Sequence, residues 1–154
     1  MTRQNLYSGQ WAGETNETGR HQIFSRPDDA RLGATLYELP AGTPEPRLHM
    51  HFGAEEMFFV LSGRPVLRTG EGSEQLASGD YVFCPEGRAG LHTFSNPGDE
   101  PAQLLAISAG SFPDVVAYPE EGYAWVATRD PDPELLAQGS DPGIIARFEI
   151  PIEP

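Results

Sequence analysis

Lysine is missing from this chain of 154 residues; every one of its 10 Lys+Arg positions is arginine. That excludes Schiff-base chemistry on a lysine and any phosphate-binding loop built around one. The 10 cations face 23 Asp and Glu, for a formal net charge of −13. So acidic a protein repels nucleic acid and anionic lipid, and neither is an expected partner. There is a single cysteine, Cys84. An internal disulfide and an all-thiolate zinc site are therefore impossible. No apolar run approaches the length of about 18 residues that would span a bilayer, and the opening stretch MTRQNLYSGQWAG has no apolar leader core. A soluble, cytoplasmic protein is expected. Sustained helical periodicity is also scarce: between residues 30 and 110 no segment keeps a 3.6-residue apolar repeat free of Gly and Pro. Finally, there is no G-x-S-x-G, C-x-x-C or G-x-G-x-x-G motif.

Turn formers and short apolar runs are abundant. The 17 glycines and 15 prolines are spread along the chain and separate runs rich in β-branched and aromatic residues. Strands are predicted at Ala34–Leu39, Glu56–Leu61, Pro65–Thr69, Asp80–Cys84, Leu91–Ser95 and Gln103–Ser108, with weaker ones at Gln22–Phe24 and Ile144–Ile150. Short strands joined by Gly, Pro, Asn and Asp turns read as an all-β sandwich or barrel. The one helix expected is Asp132–Gly139, with Asp132 as cap, Pro133 in the first turn and Gly139 as stop. The expected organisation is one domain over 1–154, with a β core at about 31–110 and extensions at 1–30 and 111–154.

Three of the four histidines fall within this β region. His49 and His51 stand two apart and so share a strand face. Glu56 opens the next apolar run, and His92 lies in a further predicted strand. Imidazoles with a carboxylate suit Fe, Mn, Ni, Cu, Co or Zn better than Ca or Mg. The alternative is a set of hydrogen-bonded histidines without a metal.

The stretch Gly42-Thr43-Pro44-Glu45-Pro46-Arg47-Leu48-His49-Met50-His51, continuing through Glu55-Glu56 to Gly63, resembles the first motif of the cupin family. Glu56 fits the spacing to both the histidines and the glycine, whereas Glu55 misses the second interval by one residue. Gly79 through Asn96, with Pro85-Glu86-Gly87 and His92 inside it, resembles the second motif. Each motif departs from the common form by an extension in a turn, one before His49 and one between Gly87 and His92. The flanking patterns are similar to those of small single-domain bacterial cupins.

The resemblance implies an all-β double-stranded β-helix, or jelly-roll barrel, with N- and C-terminal extensions. It implies that His49, His51, Glu56 and His92 hold one divalent transition metal per chain. By period-two alternation the inward face would carry Phe58, Val60, Phe94 and Asn96 as pocket walls, with Arg47 available to a carboxylate substrate and Tyr37 as an acid or hydrogen-bond donor. Cys84 is expected as a buried apolar residue and His21 as a non-ligand; were the activity that of an isomerase, His21 and Tyr37 would be the obvious applicants for its general base. A small-molecule substrate or ligand and a homodimer are the expected partners. The favoured activity is metal-dependent and oxidative, of dioxygenase type. A sugar isomerase, epimerase or lyase, and a non-catalytic binding module, are the competing readings.

Overall fold

The computed structural model describes residues 3–9, 11–16, 19–27, 29–128 and 143–151. Strands β1 (Ala12–Asn16), β2 (Gly19–Ile23), β3 (Leu32–Leu39), β4 (Met50–His51) and β5 (Ala54–Ser62) come first. β6 (Val66–Thr69), β7 (Gly72–Gln75), β8 (Tyr81–Cys84), β9 (His92–Ser95) and β10 (Ala102–Gly110) complete the central region. β11 (Asp114–Tyr118), β12 (Tyr123–Ala127) and β13 (Ile144–Glu149) follow. The fold is all-β, as expected. The helix expected at Asp132–Gly139 lies outside the described residues. Among the described residues no helix is long and apolar enough to cross a membrane.

One sheet has six strands in the order β1-β2-β3-β10-β5-β8, all antiparallel. A four-stranded sheet runs β13-β12-β11-β4, and a three-stranded one β7-β6-β9. The last two meet at the isolated bridge between His49 and His92, whose backbones exchange hydrogen bonds at 3.1 and 2.9 Å. The strands therefore line up as β13-β12-β11-β4-β9-β6-β7, with two prospective metal ligands at the seam.

Alternation along the strands builds the interior. Leu39, Phe58, Val60, Leu104 and Ala106 of the six-stranded sheet pack against Leu67 and Phe94 of the three-stranded one in a single buried cluster. Truncating a buried aromatic here, such as Phe58→Ala, should cost about 3–5 kcal/mol. A second cluster, including Leu48, Met50, Leu91 and Ala117, lies on the opposite face of β4 and β11. Met50 thus points away from the His49–His51 face, which frees that face for polar work. Gly63 makes the β5–β6 turn at φ +80°, where a Cβ would stand 2.6 Å from the Ala102 Cα; neither the dihedral nor the space admits a side chain.

The strands run beyond the 31–110 core read from the sequence. β1 and β2 extend one sheet, and β11, β12 and β13 build most of another. Both additions supply residues to the site.

Candidate metal centre

His49 and His51 project from one face of the β4 segment, their ring centroids 5.3 Å apart. The chain turns through Phe52 and Gly53 into β5, which brings Glu56 back onto the same side. One ligand atom each from His49, His51 and Glu56 lies within 4.8 Å of the other two. His92 arrives from β9 across the His49–His92 bridge, its ring centroid 4.6 Å from that of His49. A single Glu56 oxygen, Oε2, stands 3.3 Å from His51 Nε2 and 3.3 Å from His92 Nε2. Glu55 is exposed on the opposite face of β5.

The outer nitrogen of each ring has an acceptor. His49 Nδ1 donates to the Arg47 carbonyl at 3.1 Å, His92 Nδ1 to the Gly90 carbonyl at 2.8 Å, and His51 Nδ1 to Asp114 Oδ2 at 2.6 Å. Carbonyls and carboxylates only accept, so each Nδ1 carries hydrogen and each Nε2 is the nitrogen turned to the centre. Second-sphere acceptors of this kind orient a ligating imidazole and raise its basicity. Three Nε2 donors and one carboxylate fit a divalent transition ion.

The protonation equilibria are those of a crowded cluster. Burial pushes His49 down to about 4, helped by the neighbouring His92 and His51. Burial also works against the charged form of His92, but hydrogen bonds to Cys84 and Glu56 outweigh it and push His92 up to about 10. For Glu56, burial is likewise outweighed, by the His92 hydrogen bond and the charges of His51, His92 and His49, so its carboxyl stays below the ordinary range. Asp114 is held low in the same way: burial opposes, while the His51 hydrogen bond and the Gly53 amide prevail. His92 thus holds the proton that a cation would displace.

A cavity of about 250 Å³ opens above the cluster, with His49, Glu56 and His92 in its lining. Leu39, Phe58, Phe94 and Leu104 form apolar walls, and Tyr37 and His21 a polar one. Tyr37 is raised above the usual phenol value, first by burial and then by the Glu56 charge.

Three residues expected in the pocket are placed elsewhere. Asn96 is 1% exposed, and its Nδ2 donates to the carbonyls of Leu39, Pro40 and Glu100 at 2.9, 3.1 and 2.9 Å. It lies just past the end of β9, where strand alternation no longer applies, and it latches loops together. Val60 does face inward, but it is sealed in the core below the cavity at 2% exposure. Arg47 turns away towards β12, donating to the Tyr123 hydroxyl and standing 3.8 Å from Glu121.

Both motif extensions have a structural outlet. Between the Thr43–Asn96 and His49–His92 bridges, the 43–49 segment carries two more residues than β9 opposite it, and this slack puts Pro46 into the cavity lining. The extension before His92 folds as a 3₁₀ turn, Arg88–Gly90, whose preceding residue Gly87 donates to the His51 carbonyl at 2.6 Å.

Sequence reasoning missed Asp114, and also Tyr118, whose ring stacks on His49 at 5.8 Å. It did not foresee Cys84 opposite Glu56 in the β5–β8 register, where it helps to raise His92. It also treated His21 as lying outside the core, whereas β2 brings it into the cavity.

The model of the cupin domain matches residues 35–108, a span that contains all four prospective ligands. The chain belongs to the cupin family. This cupin is 31% identical over 90 residues to an uncharacterized protein of Streptomyces coelicolor, a match covering 58% of this chain and 80% of that one. Among solved structures, it resembles a candidate sugar phosphate isomerase from Acidithiobacillus ferrooxidans at 27% identity and a TM-score of 0.64, covering 79% and 80% of the two chains. A sugar phosphate isomerase of the cupin superfamily from Silicibacter pomeroyi shares the fold at 22% identity, with a TM-score of 0.64 and coverage of 80% and 73%.

Proposed function

We propose that this cupin is a metal-dependent enzyme acting on a small, oxygen-bearing organic molecule. The observation that carries the reading is that His49, His51 and Glu56 present ligand atoms within 4.8 Å of one another, with His92 Nε2 3.3 Å from Glu56 Oε2, beside a cavity of about 250 Å³. His49, His51, Glu56 and His92 would hold one divalent transition ion. Such an ion supplies Lewis acidity towards a carbonyl or hydroxyl oxygen, which the low-dielectric walls of Leu39, Phe58 and Phe94 strengthen. The chain's own residues orient the imidazoles, exclude bulk water and fix the size of what enters.

Of the activities that the resemblance permits, an isomerase or epimerase has a specific observation in its favour. A non-ligand histidine and a tyrosine line the same cavity, as acid–base chemistry on a substrate requires. The similarity to the Acidithiobacillus structure points the same way. An oxygen-using oxidoreductase remains the second reading, favoured by the apolar walls.

Elemental analysis of protein purified without an affinity tag tests the proposal. About one transition ion per chain is expected. Protein that carries none and takes none up on reconstitution would overturn it. A homodimer belongs to the same proposal: Tyr81 and Phe83 stand 58% and 45% exposed on the outer face of edge strand β8. A monomeric mass in light scattering would remove it.

A further inference from the structure

We propose that His21 is the proton-transferring base of this site, with Tyr37 as its partner acid, and that the substrate is a small uncharged α-hydroxy carbonyl compound. The inference rests on the metal-dependent reading above and specifies its chemistry.

Placement comes first. β2 pairs with β3 so that His21 lies directly opposite Tyr37, and residues opposite each other share a sheet face. Tyr37 in turn pairs with Leu104 of β10, a member of the inner core, so the shared face is the inward one. The two ring centroids are 6.3 Å apart, and both side chains line the cavity that holds His49, Glu56 and His92. His21 therefore faces a bound molecule from the wall built by β2 and β3, while the prospective ligands lie on β4, β5 and β9. A tyrosine hydroxyl is protonated at neutral pH, so Tyr37 can donate from this wall.

Charge then selects the substrate. Among the described residues lining the cavity, the one arginine is Arg20. Its Nε is held by Glu38 at 2.8 Å, and its guanidinium lies 4.2 Å over the Trp11 ring. A phosphate would have to share Arg20 with Glu38, which already offsets its charge, next to Glu56 and in a chain of net charge −13. A neutral molecule meets neither cost. This distinguishes the cavity from one built for a sugar phosphate.

The step balances without a redox partner. The His21 imidazole takes the proton from the carbon beside the carbonyl. The C–H pair becomes the C=C bond of an enediol, and the carbonyl π pair moves to oxygen, which receives the Tyr37 proton. The neighbouring hydroxyl then returns a proton to the Tyr37 oxygen and becomes the new carbonyl. The C=C pair takes the proton held by His21 at the former carbonyl carbon. The product is the isomer, and both side chains are restored.

The test is deuterium incorporation from D₂O into dihydroxyacetone and L-erythrulose, followed by NMR, with dihydroxyacetone phosphate as the charged comparison. Wild-type protein and the His21→Asn, His21→Gln and Tyr37→Phe variants are used as purified, with metal content measured for each. Wild type should exchange the neutral ketoses in preference to the phosphate. Both His21 variants should lose about 100-fold or more in rate with metal content unchanged. The His21 ring resonance, assigned by its loss in His21→Asn, should move when dihydroxyacetone is added. Equal exchange by His21→Asn would overturn the assignment of the base. A preference for the phosphate would overturn the substrate class. Metal-loaded wild type that neither exchanges a ketose nor shows a shifted His21 resonance would overturn the inference while leaving the metal reading intact. Protein without metal would instead fail the underlying proposal.

Discussion

Asp114 grips His51 and the turn that follows it with one carboxylate. Its Oδ2 accepts from His51 Nδ1 at 2.6 Å, and its Oδ1 accepts from the Gly53 amide at 2.8 Å. The ring's orientation and the path of the chain from His51 towards Glu56 are thus tied to the same group on β11. Replacing Asp114 by Ala should weaken metal affinity about 10- to 100-fold, the usual cost of losing an acceptor behind a ligating imidazole. Competition against a chromophoric chelator measures this. Asp114→Asn should fall between wild type and Ala, because its side-chain oxygen can keep one of the two bonds.

The prospective ligands make a sharper comparison. His49→Ala, His51→Ala, His92→Ala and Glu56→Gln should each sharply reduce the metal retained through purification. His21→Ala should retain it, since its side chain lines a separate wall. Elemental analysis of all five variants decides the matter, and equal metal in all five would sink the ligand set.

Legibility in the sequence follows the range of the interaction. The His49–His51 spacing is readable because a strand repeats every two residues, and Glu56 is readable because only a short turn separates it from His51. His92 needed the second motif as well. Asp114 offers no such signal, since it lies 63 positions from His51 and is brought there only by the β4–β11 pairing. His21 could be named from the sequence as an applicant for a general base, but its placement could not: nothing local shows that residues 19–23 join the main sheet beside β3. Asn96 was misread because the alternation that places Phe94 inside stops with β9 at Ser95. The strands of the central region were legible from turn residues and apolar runs. β1, β7, β11 and β12 were not, being short, polar or flanked by acids and prolines.

Asn96 gives a stability prediction independent of any metal. One amide nitrogen serves three backbone carbonyls, at the end of β3, just after it and in the loop after β9. Asn96→Ala removes that donor from a site 1% exposed. A loss of about 2–3 kcal/mol is expected, the penalty of leaving buried acceptors unmatched. Denaturant unfolding measures it, with an unchanged slope as the sign that the native state keeps its compactness. A near-neutral effect would mean that water enters and takes over the three bonds.

Acid and alkali should both destabilise metal-stripped protein, for different reasons. His49 is depressed from 6.5 to about 4, so as pH falls through that window the unfolded chain binds a proton that the folded chain refuses, and stability drops. Glu56 and Asp114, lowered from 4.5 and 3.8, add to the loss further down, as pH falls through their folded values. His92 is raised from 6.5 to about 10, so its contribution is complete below 6.5 and drains away as pH climbs to about 10. The thermal midpoint should therefore peak near neutrality. Bound metal changes each limb differently. It has already displaced the His92 proton, so the alkaline decline should flatten, whereas acid should now act by expelling the ion. Scanning calorimetry of stripped and loaded protein across this range separates the two behaviours. Stripped protein that gained stability between 6.5 and about 10 would show that the His92 proton is not held by Glu56 and Cys84.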